Sequence, residues 1–475
     1  MEEIIVGRKA EIELLNTLRN SSKSEFVAVY GRRRIGKTFL IRNVFENEFC
    51  FQLTGIANVN LKQQLANFHS ALLREKTTRE PQRVAKDWFE AFQQLITYLE
   101  NLEVPKKVIF LDELPWLDTT KSNFIPALEH FWNSWASARR DILLVVCGSA
   151  ASWMINNLIN NKGGLHNRVT HRLKLEPFTL AECEAFFLKK NAVIDRYQLI
   201  QLYMVTGGVP FYLEHIEANK STAQNIDNLC FTKNSLLRTE FDNLYSSLFK
   251  KADKHILIVE TLAKKAKGMS REELIQKAKL TNGGNATKLL QELEESSFIR
   301  RYHSFEKKEK NSLYQLCDFY SLFYLKFIKE TSDLDENTWL KSIDNPQYRA
   351  WSGYAFEQVC LAHTPEIKRA LGISGIQTHT SAWLSSDKNQ KAQIDLVIDR
   401  RDHVINLCEM KFSLKPFTID KKYAEELASK VEVFRTQNNT TKALFLTMIT
   451  TFGVVPNTYS NKMVQQNLTM DIFFK

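Results

Sequence analysis

The sequence is poor in the residues that mark secreted, membrane-spanning or disordered proteins. Its 475 residues include only seven cysteines, an odd number scattered along the chain without a Cys-x-x-Cys pair. This predicts free thiols, and neither a disulfide framework nor a zinc site. Glycine and proline are also few, 16 and 10, so no long flexible linker is expected. The acidic start lacks a secretory signal, and no uncharged apolar run reaches the ~18 residues of a membrane span. These absences predict a cytoplasmic protein that does not enter the membrane.

The charge balance gives the first indication of a partner. Lys and Arg number 64 against 54 Asp and Glu, a net charge of +10, in a chain of ordinary globular composition. Residues 250–310 hold 15 Lys and Arg against 9 Asp and Glu, a net +6. Such a basic segment suits a polyanion such as DNA. A solvated, lysine-rich helical surface would have the same composition, so charge alone leaves both interpretations open.

Hydrophobic periodicity divides the chain into four zones. The first alternates short apolar runs with amphipathic stretches, which predicts an α/β domain with a parallel sheet covered by helices. Its strands are expected at 26–30, 108–111 and 142–147. The second zone is helical, the third runs from helices into two strands, and the fourth mixes helix and strand. The predicted domains are 1–175, 176–248, 249–335 and 345–475.

Residues 31–38, with the sequence GRRRIGKT, match the pattern of a phosphate-binding loop in full. An apolar strand leads into the loop and a helix follows it, so backbone N–H groups and the positive helix end can surround phosphate oxygens. Lys37 is expected to reach the β- and γ-phosphates of ATP, and Thr38 to supply a hydroxyl to Mg²⁺. The predicted ATP-binding residues are Gly31, Arg32, Arg33, Arg34, Ile35, Gly36, Lys37 and Thr38.

A second element supports nucleotide chemistry. Residues 108–113 form an apolar run that ends in Asp112 and Glu113, the arrangement of a Walker B strand. Asp112 is expected to hold Mg²⁺ through water, and Glu113 to orient and deprotonate the attacking water. Ser149 ends the next predicted strand, at the edge where open α/β sheets place their ligands. It could sense the γ-phosphate or equally cap the following helix.

Several motifs together carry a family resemblance. They are VGR at 6–8, the phosphate-binding loop, LDELPW at 111–116, GSAASWM at 148–154 and GGVP at 207–210. In combination they resemble the prokaryotic, archaeal-type P-loop ATPases of the STAND/AAA+ branch. The resemblance implies a helical lid and a winged helix after the ATPase core, and allows a homo-oligomer. No motif identifies an arginine finger: Arg168 and Arg172 are the candidates, and ordinary surface salt bridges explain them equally well.

The basic middle of the chain has the element order of a winged helix. Ser270 and Glu273 predict a capping box at the start of one helix, a second helix covers about 285–295, and a strand follows at 298–303. The resemblance implies a recognition helix in a DNA groove, with the lysine-rich turn at 305–311 on phosphates. Acidic residues on that helix weaken the case for groove binding. The alternative is a winged helix that only packs on the ATPase and transmits its state.

The last zone contains Asp395, Glu409 and Lys411, which have the types and order of a two-strand metal-dependent nuclease core. A hairpin turning near 401–402 places Asp395 opposite Cys408, beside Glu409. A bulge or a one-residue change of register would align the two carboxylates on one face. They could then bind Mg²⁺, with Lys411 positioning water or stabilising the charge of the phosphorane.

With further residues included, this pattern resembles a known protein family. Glu357 on a predicted helix and a later helix starting near Tyr423 complete a set that resembles the PD-(D/E)xK fold, the restriction-endonuclease-like domain that follows such ATPases as the DUF234 region. The proline of the signature is absent, since Ile394 precedes Asp395, but that proline supplies no ligand. The resemblance implies nuclease residues Glu357, Asp395, Glu409 and Lys411. A decayed domain that binds DNA or a partner without cutting remains the alternative.

Together these patterns predict an ATP-driven switch that controls a metal-dependent nuclease acting on DNA, with ATP and Mg²⁺ as cofactors. Two rival functions stay open. One is a non-catalytic, ATP-dependent regulator that binds DNA through the winged helix, and the other is an ATPase that remodels a protein partner.

Overall fold

A computed structural model of the chain describes most of its length, in two compact units, Met1–Glu176 and Pro177–Lys475. The described residues are 5–75, 83–161, 163–249, 251–303, 305, 312–331, 338–343, 345–385, 387 and 392–475. Within these ranges, no helix has both the length and the apolar character needed to cross a membrane.

The first unit is built on a five-stranded parallel sheet with the order β2-β3-β4-β1-β5. Its strands are β1 Glu25–Tyr30, β2 Phe49–Thr54, β3 Lys107–Asp112, β4 Ile142–Gly148 and β5 His171–Lys174. Its helices are α1 Lys9–Arg19, α2 Lys37–Val44, α3 Leu61–Glu75, α4 Trp88–Glu100, α5 Leu114–Leu117, α6 Phe124–Ser134 and α7 Ala151–Trp153. The three strands expected from the sequence are all present, each within about a residue of its predicted bounds.

Both faces of this sheet are covered, which explains why its central strands are continuous apolar runs. Every residue of β3 and β4 is buried. Successive side chains of β1 point to opposite faces: Phe26 packs in the aromatic cluster with Trp88 and Phe131, whereas Val27 packs with Leu15 and Ile41 on the other side. The sheet therefore packs against side chains on both faces up to the edge where its carboxyl ends meet.

The second unit begins with helices and continues into a small antiparallel sheet. The helices are α8 Leu180–Lys189, α9 Arg196–Thr206, α10 Pro210–Leu213, α11 Thr222–Cys230, α12 Glu240–Leu248, α13 Ala252–Ala263, α14 Arg271–Lys277 and α15 Gly284–Glu295. The strands β6 Met269–Ser270, β7 Ile299–Tyr302 and β8 Leu313–Leu316 pair in the order β6-β8-β7. The predicted order of helix, helix, strand and strand is present; most of the predicted turn between the strands, residues 306–311, lies outside the described residues.

The predicted capping box at α14 is only half formed. Ser270 Oγ accepts a hydrogen bond from the backbone N–H of Glu273 at 3.2 Å, as expected. The Glu273 carboxylate does not return to the backbone of Ser270. It pairs with Lys265 at 2.7 Å and Lys277 at 2.9 Å, because two nearby ammonium groups attract a carboxylate more strongly than one backbone N–H does. These pairs also neutralise part of the positive charge counted in the sequence.

The rest of the second unit is a mixed five-stranded sheet with the order β13-β12-β11-β10-β9. Its strands are β9 Thr378–Leu384, β10 Gln393–Arg400, β11 Val404–Lys411, β12 Ala443–Thr450 and β13 Gln466–Thr469. The helices are α16 Phe319–Phe323, α17 Thr338–Ser342, α18 Pro346–Ala362, α19 Thr364–Ala370, α20 Lys421–Gln437 and α21 Thr458–Met463. β9, β10 and β11 are antiparallel, while β11, β12 and β13 are parallel.

The β10–β11 hairpin differs by one residue from the register expected from the sequence. Leu396 pairs with Cys408, so the next position places Asp395 opposite Glu409 and not opposite Cys408. The reason is the turn: three residues, 401–403, connect the strands, and the last, His403, has a left-handed φ of 62°, a geometry typical of three-residue hairpin loops. β10 also carries an irregularity against β9 between Ile394 and Val397, and such bulges re-aim side chains.

The GGVP motif has a clear structural requirement for glycine. Gly208 has a φ of +68°, and an added Cβ would lie 2.2 Å from the carbonyl oxygen of Phe178.

We expect Gly208→Ala to lower the free energy of unfolding by about 1–3 kcal/mol, measured by urea denaturation. The matched control is Gly353→Ala, within α18, where a Cβ meets nothing within 4 Å; it should raise stability by up to about 1 kcal/mol. Equal effects of the two changes would contradict this account.

Candidate functional site

The phosphate-binding loop connects the end of β1 to the start of α2, as its motif requires. Gly31 has a φ of +142°, and a Cβ there would lie 2.2 Å from the carbonyl oxygen of Leu175. Gly36 has a φ of +85° at the position before the first helical residue. Ile35 between them is buried in the core. The loop is therefore held tightly against β5, with the amino end of α2 directed along it.

Lys37 is buried at the base of this loop. Its Nζ donates hydrogen bonds to the carbonyl oxygens of Gly31 at 3.0 Å and Arg32 at 2.8 Å. Burial lowers the pKa of Lys37, while acidic neighbours, among them Glu113 and Asp112, oppose this shift. The ammonium group is thus held inside the loop by neutral carbonyls that a phosphate oxygen can replace.

The carboxylates of Asp112 and Glu113, at the end of β3, lie near Lys37 and make different contacts. Asp112 Oδ2 accepts a hydrogen bond from Thr38 Oγ1 at 2.9 Å, so the two predicted magnesium residues are adjacent. Glu113 has a left-handed φ of 48°, which turns its side chain away from the strand direction. Burial raises the pKa of Glu113, and Asp112 adds to the rise while Lys37 opposes it. A hard divalent cation fits the oxygen donors of Thr38 and Asp112.

Ser149 contacts Glu113 and does not cap the following helix. Its Oγ donates a hydrogen bond to Glu113 Oε1 at 3.1 Å. The residue before α7 is Ala150, which makes no side-chain cap. Since β3 and β4 are neighbours in the sheet, their carboxyl ends bring these two side chains together. The other predicted residues, Arg168 in a turn and Arg172 on β5, are both exposed, so their assignment stays a prediction.

The second site lies in the second unit, where a cavity of about 450 Å³ is bounded by α18, β10 and β11. All four residues predicted for the nuclease line it: Glu357, Asp395, Glu409 and Lys411. Burial raises the pKa of Glu357 to about 8, and the charge of Asp395 adds to this rise. The floor of this cavity, called the acidic cavity below, is therefore formed by three carboxyl groups, one of which is buried enough to hold its proton more tightly than usual.

Two residues of α20 enter this site that sequence reasoning did not assign to it. Lys430 Nζ contacts Glu409 Oε1 at 2.6 Å, and Tyr423 Oη donates to Glu409 Oε2 at 3.2 Å. Lys411 lies over the Tyr423 ring, 5.0 Å from its centroid. Positions 423 and 430 are seven apart and share a helix face, so the predicted helix near Tyr423 contained the signal for Lys430.

The metal expected at this site has oxygen donors but no complete cage. In the part of the chain that the structure describes, no group of three or more His, Cys, Asp or Glu side chains is placed to hold one metal ion. Asp395 and Glu409 nevertheless face each other across adjacent strands, and the pKa of Glu357 is raised chiefly by its burial, with the charge of Asp395 adding to the rise. The donor chemistry fits a hard cation that keeps several waters, as Mg²⁺ does.

Comparisons with known proteins agree with the geometry of the first unit. Residues 5–216 match the family described as an ATPase domain predominantly from Archaea. An uncharacterized protein of Methanocaldococcus jannaschii is 26% identical over 378 residues, covering 77% of this chain and 78% of that protein. An uncharacterized ATP-binding protein of the same organism is 44% identical over 45 residues, 10% of this chain and 76% of that protein.

A solved structure shows the same fold. The Walker-type ATPase of Pyrococcus abyssi superposes with a TM-score of 0.51 at 14% identity, over 68% of this chain and 96% of that one. The first unit is thus an α/β domain of the P-loop ATPase class. Residues 5–216 are similar to that archaeal ATPase family, which supports the expected ATPase domain and its binding of nucleotide. The winged helix, the nuclease and the assignment to STAND remain predictions.

The raised pKa of Glu357 makes stability depend on pH in a definite direction. From the ordinary value of 4.5 up to about 8, the folded protein retains a proton that the unfolded chain releases, so stability falls as pH rises through this window. Glu357→Gln cannot ionise. It should therefore be more stable than wild type at pH 8 to 9 by on the order of 1 kcal/mol or more, with the difference shrinking toward pH 4.

Thermal denaturation in a metal chelator across this pH range measures the effect. The control is Glu425→Gln on the exposed side of α20, which should follow the wild-type curve. A constant offset between Glu357→Gln and wild type at every pH would contradict the prediction.

Proposed function

We propose that this protein is an ATP-hydrolysing switch whose nucleotide state controls a metal-dependent nuclease site in its carboxy-terminal sheet, with DNA as the substrate. One observation carries the proposal. The ATPase family match runs to residue 216, beyond the first unit, so α8, α9 and α10 belong both to the matched ATPase region and to the compact unit that contains the acidic cavity.

In the ATPase half, the residues of the phosphate-binding loop and of the neighbouring strand ends each have a role that their contacts support. The backbone of 31–36 and the ammonium of Lys37 bind the phosphates. Thr38 and Asp112 hold Mg²⁺, which neutralises charge on the phosphate oxygens when bound. Glu113, with its raised proton affinity, orients the attacking water and accepts its proton, and the Ser149 hydroxyl holds that carboxylate in place.

Substitutions of Lys37 and Glu113 are expected to separate ATP binding from ATP hydrolysis. Lys37→Ala removes the buried ammonium and should abolish ATP binding by calorimetry. Glu113→Gln keeps the size and one hydrogen bond to Ser149, so it should bind ATP normally while turnover falls by about 10²-fold or more. Lys62→Ala, on the exposed side of α3, should leave both unchanged. Normal hydrolysis by Glu113→Gln would assign the base to another residue.

In the nuclease half, the register of β10 and β11 supports the proposed metal site. Asp395 and Glu409 would hold the cation, and Lys411, on the same face of β11 as Glu409, would stabilise negative charge on the phosphoryl oxygens. Glu357, protonated at neutral pH when no cation is present, can orient a water or join the ligands. In such sites the cation supplies charge stabilisation at the transferring phosphate.

The link between the halves is the packing of α9 against the carboxy-terminal sheet. The Tyr197 ring stacks on Phe412 at 5.1 Å and on Phe452 at 5.6 Å, and Arg196 pairs with Asp471 at 2.7 Å. Phe412 directly follows Lys411. A change in α9 between nucleotide states therefore reaches the strand end that bears the active-site lysine. Control by ATP requires that ATP bind two such arrangements with different affinity.

The second candidate is an ATP-dependent regulator that binds DNA without cutting it. It is favoured by the contacts of Glu409, whose carboxylate is occupied by Lys430 and Tyr423. If these contacts persist in every nucleotide state, the site keeps its acidic cavity but binds no catalytic metal.

Cleavage of labelled DNA with Mg²⁺ or Mn²⁺, in the presence of ATP, ADP or neither, distinguishes the two candidates. Wild type should cut in one nucleotide state more than in the others. Asp395→Asn and Lys411→Ala should each lose about 10²-fold or more of the rate, because the first weakens the hold on the cation and the second removes a positive charge beside the phosphate. The control Asp402→Asn, in the exposed β10–β11 turn, should cut like wild type. A wild-type protein that cuts nothing in all three states would favour the regulator.

A further inference from the structure

We propose that the acidic cavity takes one nucleotide of a single DNA strand, and that Arg300 of β7 binds the phosphate of that strand. The inference rests on the nuclease site proposed above and names its substrate class. It comes from a feature that the nuclease pattern does not include, namely a wall of the cavity that β7 and the chain at 266–267 contribute.

This wall is held by hydrogen bonds on both sides. The Arg300 guanidinium donates to Gln315 Oε1 at 2.8 Å and to Gln358 Oε1 on α18. Tyr302 Oη donates to the carbonyl oxygen of Lys267 at 2.5 Å, and Tyr354 Oη, also on α18, donates to that of Ala266 at 3.4 Å. Gln358 is buried. The wall is therefore part of the packed unit, and it lines the same cavity as the carboxylates.

The size of this half-open cavity limits what can fill it. A volume of about 450 Å³ lies toward the lower end of the ~300–1,000 Å³ typical of pockets for one small ligand. It matches one nucleotide with its phosphate and is too small to receive a base pair with two backbones. Enzymes that act on a nucleotide in such a pocket take a single strand or draw the nucleotide out of the duplex. With this wall in place, paired DNA reaches the site only where its strands separate.

The side chains of this wall are suited to bind both the phosphate and the base of a nucleotide. Arg300 is bound only by neutral amides, and no carboxylate in the described parts of the chain forms an ion pair with it, so its charge is available to an anion. An arginine fork held in this way binds phosphate oxygens strongly. The rings of Tyr302 and Tyr354 line the same cavity and offer aromatic faces on which an unpaired base stacks.

Binding without catalysis tests this inference. The full chain, in a metal chelator and without ATP, is titrated into an end-labelled short oligodeoxynucleotide and into the blunt duplex of the same sequence, followed by fluorescence anisotropy. We expect the single strand to bind at least about tenfold tighter than the duplex. Arg300→Gln should weaken single-strand binding about tenfold or more, since hydrogen bonds to charged groups are the stronger class, and should lower the salt slope by about 0.7.

The neighbouring arginine provides the matched control. Arg301 lies next to Arg300 on β7, its side chain points to the other face, and it approaches Glu294 at 3.9 Å. Arg301→Gln should bind the single strand like wild type. If Arg300→Gln is poorly folded by circular dichroism, Lys267→Gln serves in its place, because Lys267 is exposed at the cavity rim and its loss should weaken single-strand binding several-fold.

Equal or tighter binding of the duplex, or wild-type affinity in Arg300→Gln, would overturn the inference. Tighter binding of an oligoribonucleotide of the same sequence would overturn the assignment to DNA. Because no metal or ATP is present, a protein that binds single strands but never cuts them contradicts only the nuclease proposal. A protein that cuts but prefers duplex contradicts only this inference.

Discussion

The buried ammonium group of Lys37 is the constraint on which the ATPase half depends. A charge taken out of water must be hydrogen-bonded and partly neutralised, and here two loop carbonyls and the carboxylates at the end of β3 do both. The loop can present those carbonyls only because Gly31 adopts a conformation in which any side chain would meet Leu175. The lysine thus connects the glycine pattern, the strand order of the sheet and the binding of phosphate.

The second unit also places charged groups away from water, and it balances their charge with a different architecture. Asp395, Glu409 and Glu357 approach one another in a half-buried cavity, and Lys430 and Lys411 supply the opposing charge. In the first unit the acidic groups follow a parallel strand and meet a loop lysine. In the second unit they meet across an antiparallel hairpin whose register depends on a three-residue turn. A buried carboxyl group with a strongly raised pKa, such as Glu357, is typical of functional sites, which is why this cavity supports a role beyond packing.

The proposed coupling of the two halves rests on the packing of α9. Its residues are part of the region that matches archaeal ATPases, and its Tyr197 stacks on Phe412 and Phe452, which follow strands of the carboxy-terminal sheet. Closely packed side chains move between discrete arrangements and do not deform continuously. In the proposed switch, a response of α9 to nucleotide would therefore shift Phe412 and, with it, the strand end that bears Lys411.

The local patterns of the sequence were enough to predict the phosphate-binding loop, the three central strands, the Ser270 cap and the helix that carries Glu357, because each depends on residues within one or two turns of chain. They also identified Asp395, Glu409 and Lys411 as a set. The tertiary structure alone decided three things: the one-residue register that places Asp395 opposite Glu409, the contact of Ser149 with Glu113, and the entry of Arg300 into the acidic cavity. Arg300 and Asp395 are far apart in the sequence. A local sequence pattern cannot predict that they line the same cavity, because only folding brings their two surfaces together.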